Sequence, residues 1–127
     1  MPQYMLLIYG PTDGPPPDDP GAQIARWQDF GTSLAEAGVM VTSGRLSDVH
    51  SATSVRVRDD ETLVSDGPFA ETKEYLGGFY LIDCADLDSA LAHAARMPHV
   101  GYGTAEVRPM MFPVGTPASA MGTQTTA

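Results

Sequence analysis

Gly77 to Pro98 reads GGFYLIDCADLDSALAHAARMP, and this stretch decides the fold. Two glycines open the apolar, aromatic run Phe79–Asp83, which has the length and composition of a strand. Asp86 then stands where a helix cap is expected. Leu87, Ala90, Leu91 and Ala94 recur at three- and four-residue spacing on one face until Pro98 stops the pattern. Beyond it, Thr104–Met111 (TAEVRPMM) supplies another strand, with Pro109 at a sheet edge or a strand end. The C-terminal half is therefore strand, helix, strand.

Working back toward the N-terminus, the same unit recurs. Gln3–Tyr9 (QYMLLIY) is a short apolar run that reads as a buried strand and ends at Gly10-Pro11. Pro11–Gly21 (PTDGPPPDDPG) holds five prolines, too many for a regular element, and is expected to be a stiff surface loop. Asp19-Pro20 suits a helix start. Ile24, Trp27, Gly31 and Leu34, with Phe30 beside them, make one apolar stripe, and Gly38 falls where a left-handed cap residue belongs. Val39–Leu46 (VMVTSGRL) follows as a strand weakened by Gly44. Between the halves, Val55 and Val57 alternate with Arg56 and Arg58, Asp59-Asp60 turns the chain, and Thr62–Ser65 returns, which is a β-hairpin.

With the hairpin set aside, the order is β-α-β-β-α-β. The fold class is α+β, ferredoxin-like βαββαβ with an inserted β-hairpin. Such a sheet is antiparallel and carries both helices on one face. Met5, Ile8, Val39, Val41, Phe79, Leu81 and Ile82 are too many apolar strand residues for the other face to stay wet, so two chains are expected to pair their sheets as a homodimer. The chain divides into a domain over residues 1–112 and a tail, 113–127, of Gly, Thr, Ala, Ser and Pro that has little to bury and is expected to be disordered.

Composition narrows the partners. Seven basic residues against 16 acidic ones leave a net charge of −9, which nucleic acid and anionic membranes repel. No apolar run approaches a membrane span, and Met5–Ile8 lacks the basic flank and length of a signal peptide, so a cytoplasmic protein is expected. A lone cysteine, Cys84, rules out an internal disulfide and a multi-cysteine metal site. His50, His93 and His99 match no metal spacing, and phosphate-loop, dinucleotide and nucleophile-elbow motifs are absent. Neither metal nor cofactor is expected.

The most specific stretch is Asp66–Gly78, DGPFAETKEYLGG. It closely resembles the signature of the DGPF proteins within the YCII-related family. The YMLLIYG start, the Trp27 helix, SGRL, TSVRV, GGFYLID and AEVRP also fall in that family's order, so the resemblance covers roughly residues 3–112. It implies a dimeric α+β barrel built from ferredoxin-like chains. Relatives include proteins that look like lactone-processing or dehalogenating enzymes. Some carry a His–Asp pair proposed as catalytic, and DGPF genes often neighbour sigma-factor genes, which implies a regulatory accessory as the alternative.

Candidate site residues follow from chemistry. Asp66-Gly67-Pro68 is good turn chemistry over Phe69, and it also presents a carboxylate toward a cavity that Phe69 would line. The polar run Glu71, Thr72, Lys73 and Glu74 is unusually specified for a loop. Asp66 or Glu71 would accept a proton, Lys73 would stabilise negative charge, and Thr72 would bind substrate. Arg56 reads either as a solubilising residue or as an anion clamp. Among the histidines, each readily placed at the surface or a helix end, His50 beside Asp48 is the acid–base candidate. Trp27 and Tyr80 read as core or cavity lining. The resulting expectation is a small carboxylate- or lactone-like ligand in an apolar cavity between helices and sheet, handled by cofactor-independent acid–base chemistry of isomerase, lyase or cyclase type. The rivals are a non-catalytic accessory and a purely architectural motif.

Overall fold

A computed structural model describes residues 1–11 and 19–122. Most of the proline-rich stretch, residues 12–18, and the last five residues of the tail lie outside the described residues. Four strands form the main sheet: β1 (Gln3–Gly10), β2 (Met40–Arg45), β5 (Tyr75–Asp83) and β6 (Thr104–Pro109). Their order is β2-β5-β1-β6, and every neighbouring pair is antiparallel. Two helices, α1 (Pro20–Glu36) and α2 (Leu87–Ala94), connect them, and a separate two-stranded sheet holds β3 (Thr53–Arg58) and β4 (Glu61–Asp66). The result is a mixed α+β fold with the expected element order.

Helix α1 begins as its residues dictate. The Asp19 carboxylate accepts the Ala22 N–H at 2.9 Å, with Pro20 in the first turn. At its end Gly38 takes a φ of +73°, a left-handed turn that glycine reaches without strain. The stripe that actually buries is Phe30 and Leu34, with Trp27 partly buried against them; Ile24, at the start of the expected stripe, is half exposed. In α2 the buried residues are the alanines Ala90 and Ala94, whose small side chains let the helix approach the sheet closely, whereas Leu87 and Leu91 flank it and stay half exposed.

Strand alternation then sorts the sheet into two faces. Tyr4, Leu6, Ile82 and Cys84 are buried under Phe30, Leu34, Ala90, Ala94 and Met97, with Ile8, Val39, Met40 and Tyr80 packed around them. Of the apolar strand residues expected on a bare face, Ile8, Val39 and Ile82 therefore belong to this helix-side core. The opposite face carries Met5 across from Leu81 and Leu7 across from Phe79, edged by Glu106 and Arg108, which pair at 3.6 Å. Gly44, the apparent weakness of β2, is matched by Phe79 across the strand pair. A Cβ at Gly44 would stand 2.7 Å from that ring. The β1–β5 register slips by one residue between Ile8 and Tyr9, so Gly77 bulges out of β5.

The hairpin closes through Asp59 and Asp60, both at positive φ, as a two-residue turn with the twist of its strands requires. Its base is tied where it leaves the body: the Gly67 N–H donates to the Ala52 carbonyl at 2.6 Å, and the Ser54 hydroxyl to the Gly67 carbonyl at 2.8 Å. In the tail, Val114 N–H donates to the Gln3 side chain at 2.7 Å. Ala118–Met121 form a short helix, α3, in a segment expected to lack structure.

Candidate functional site

Between α1 and the end of the sheet lies a cleft of about 880 Å³. The chain builds it from residues far apart in sequence. Strand β1 contributes Ile8, α1 contributes Trp27, β2 ends in Ser43 and Arg45, and β5 contributes Tyr80. The turn after α2 adds His99 and Tyr102. Aromatic rings hold one another in place here. Trp27 lies parallel to Tyr80 with centroids 6.1 Å apart and stacks on His99 at 5.4 Å, while Phe30 meets Tyr80 edge-on at 5.2 Å.

His99 is the most constrained group in the cleft and is 3% exposed. The turn that follows α2 folds it inward, with Tyr102 and Gly103 N–H groups both donating to its carbonyl at 3.0 and 2.7 Å. A Cβ at Gly103 would collide with the Tyr9 carbonyl and stand 3.1 Å from the His99 ring, so only glycine fits. The Nε2 of His99 is 2.7 Å from the Thr104 carbonyl, and a carbonyl only accepts, so Nε2 carries a proton, and in the neutral ring Nδ1 is then an acceptor. That Nδ1 is buried without a partner among the described residues. Burial lowers the pKa of the ring and favours its neutral form, opposed by the Thr104 hydrogen bond and by the negative charge of Glu74. The Thr104 hydroxyl in turn donates to Glu74 Oε2 at 3.3 Å, and Glu74 Oε1 is buried without a partner. Burial also raises the pKa of the Tyr80 phenol.

Arg45 stands exposed at the edge of the same cleft and has no ion-pair partner among the described residues. In a chain of net charge −9, a guanidinium left unpaired beside an aromatic wall is a ready anchor for a carboxylate. The described residues include no group of three His, Cys, Asp or Glu side chains able to hold a metal ion.

Of the residues singled out in the sequence, Trp27 and Tyr80 line this cleft. Asp66, Phe69, Glu71, Thr72, Lys73, Arg56 and His50 do not, and all seven are exposed, Phe69 by 77%. Arg56 is spent on the loop itself, donating to the Phe69 carbonyl at 3.3 Å. Thr72 likewise closes its own turn: its N–H donates to the Tyr75 hydroxyl at 3.1 Å and its hydroxyl to the Glu74 carbonyl. Asp48 takes the backbone N–H of His50 at 2.8 Å as a cap of the turn Val49–Ser51, so the adjacency of the two is local backbone chemistry rather than an imidazole–carboxylate pair.

The residues missed in sequence are His99 and Arg45. Nothing in spacing marks Arg45. His99 had one signal, the glycines Gly101 and Gly103 that flank Tyr102 directly after it and allow the chain to double back. Its placement at a surface or helix end is corrected by its burial against Trp27.

Residues 3–112 match the YCII-related domain, and the chain belongs to that family. Over 77 residues it is 49% identical to an uncharacterized protein of Rhizobium meliloti (strain 1021), an alignment covering 59% of this chain and 62% of that relative's length. Among the described residues no helix is long and apolar enough to cross a membrane.

Proposed function

We propose that this chain is a small-molecule protein of the DGPF branch of the family. Its ligand is a small carboxylate- or lactone-like molecule held in the cleft beside Trp27. The observation that carries the reading is the cleft itself, about 880 Å³ with a stacked aromatic wall and, on its rim, an arginine with no ion-pair partner among the described residues. That volume lies in the range of small-molecule sites, and the combination of apolar wall and few polar groups is their usual chemistry. The presence of a neutral imidazole in the cleft supports cofactor-independent acid–base chemistry of isomerase, lyase or cyclase type. The setting we infer is cytoplasmic, consistent with Cys84 as a buried thiol whose pKa burial raises.

The same reading includes a homodimer, two ferredoxin-like chains forming an α+β barrel through the face that bears Met5, Leu7 and Phe79. A non-catalytic accessory is the second reading. It is favoured by the hairpin, where Val55, Val57 and Val64 are 65%, 58% and 65% exposed and offer an apolar strip to a protein partner.

Calorimetric titration with benzoate tests the first reading. Trp27 is the only tryptophan, so its fluorescence reports whether the occupant sits in this cleft. Binding with a change in Trp27 emission, weakened about tenfold or more in Arg45→Ala, is the expected result. An unchanged affinity in Arg45→Ala would remove the carboxylate anchor from the reading. Absence of binding by benzoate and by its hydroxylated analogues alike would remove the ligand site.

A further inference from the structure

Stacking and carboxylate anchoring leave one cleft residue, His99, unused, and Glu74 stands behind it, outside the cleft lining. Two acceptors, Nδ1 of His99 and Oε1 of Glu74, are buried without a partner among the described residues. Both are tied to one residue of β6, since Thr104 receives the His99 Nε2–H on its carbonyl and donates its hydroxyl to Glu74 Oε2. A buried acceptor left without a donor loses its hydration with nothing in return, and two of them in one corner are hard to account for as packing. His99 cannot relieve the shortage by turning its proton inward, because that would strand Nε2 against the Thr104 carbonyl at 2.7 Å. The missing group is a donor, and none is supplied by the described residues.

Resting on the reading that the cleft takes a small carboxylate, we propose that it selects one that also carries a hydroxyl group, whose O–H displaces the side-chain cover over Nδ1 of His99 and is donated to that atom. The ligand class is thereby a hydroxycarboxylic acid, including its phenolic and enolic forms. Its carboxylate pairs with Arg45, its unsaturated or cyclic body lies against Trp27, and its hydroxyl meets His99. Thr104 and Glu74 are positioning residues. The Thr104 carbonyl fixes the ring proton on Nε2, and the Thr104 hydroxyl orients the Glu74 carboxylate. A site built to take an O–H rejects the analogue that lacks it, because the analogue leaves the acceptor stranded. No bond is made or broken in this recognition, and the proton stays on the ligand oxygen.

The experiment compares benzoate with 2-, 3- and 4-hydroxybenzoate by calorimetry on the wild-type chain and on His99→Phe, with the ¹⁵N resonance of His99 Nδ1 followed in the wild type. At least one hydroxylated isomer is expected to bind about tenfold or more tightly than benzoate, with the preference lost in His99→Phe. That isomer, unlike benzoate, is expected to shift the Nδ1 resonance from its unprotonated position toward that of a hydrogen-bonded acceptor. The resonance needs no variant, so a His99→Phe chain that fails to fold leaves the test intact. Benzoate and the three isomers binding equally, or an Nδ1 resonance unmoved by a bound hydroxybenzoate, overturns the hydroxyl selection while the carboxylate cleft stands. Failure of all four to bind overturns both.

Discussion

His99 is held neutral mainly by burial, and that has a measurable sign. Its folded pKa lies below the ordinary imidazole value of 6.5, and His93 is lowered in the same direction by burial and by the nearby Arg96 charge. Below that value the unfolded chain binds protons that the folded chain refuses, so stability is full above it and falls as the pH drops through it. The melting temperature is expected to decline from about pH 7.5 to about pH 5.5, with a smaller decline in His99→Gln. An identical decline in His99→Gln and His93→Gln would show that other groups carry it. Glycines give a second residue-scale test. A Cβ at Gly78 would stand 2.6 Å from the Gly44 carbonyl, backbone that cannot swing aside, whereas one at Gly101 meets nothing within 4 Å. Urea unfolding should show Gly78→Ala destabilised by about 1–3 kcal/mol and Gly101→Ala changed by no more than about 0.5 kcal/mol. At this scale the sequence was least legible. Trp27 and Tyr80 could be picked out because large aromatics have few places to go, but a histidine's burial depends on what folds over it, and for His99 that cover is Trp27, 72 positions earlier in the chain.

Elements were legible where a local rule specifies them. Asp19-Pro20 and Asp86 start α1 and α2 because a carboxylate next to free amides is useful in any context, and Asp86 confirms it: the Ser89 N–H at 2.9 Å lowers its pKa. Asp19→Ala is expected to cost about 1 kcal/mol, read as a fall of a few degrees in melting temperature with the cleft residues otherwise untouched. The two-residue turn at Asp59-Asp60 was legible for the same reason. Which side of a helix buries was less so. Alternation and spacing identify a face but not the depth to which the neighbouring layer reaches, and so Ile24, Leu87 and Leu91 remain half exposed while Phe30 and the α2 alanines form the contact. The loop Asp66–Glu74 shows the same limit. Its sequence specificity reads as a site, yet in the folded chain Thr72 and Arg56 are occupied with closing the loop, and Glu74 reaches the corner beside His99 through Thr104.

For the whole molecule, the element order and sheet order follow from the two strand–helix–strand units, and these were visible as repeated apolar periodicity. The association of chains is a separate matter. On the sheet face with Met5, Leu7 and Phe79 those three side chains are partly exposed in a single chain, while Leu81 between them is already 1% exposed. Sedimentation velocity is expected to give the mass of two chains, and Met5→Glu, which places a charge at the centre of that face opposite Leu81, to give the mass of one. A wild-type chain sedimenting as a single copy would place the dimer elsewhere or nowhere.

The tie between Ala52 and Gly67 has a consequence for how the chain can change its length. Because the insert enters and leaves the body side by side, residues 53–66 form a module whose two ends already meet, with Ser54 and Arg56 adding hydrogen bonds to Gly67 and Phe69 just beyond it. Excision with direct rejoining of those ends asks the remaining backbone to span almost no new distance. The junction is thus a natural graft point, where hairpins of other lengths and other tip sequences can be exchanged without disturbing the order β2-β5-β1-β6 behind them.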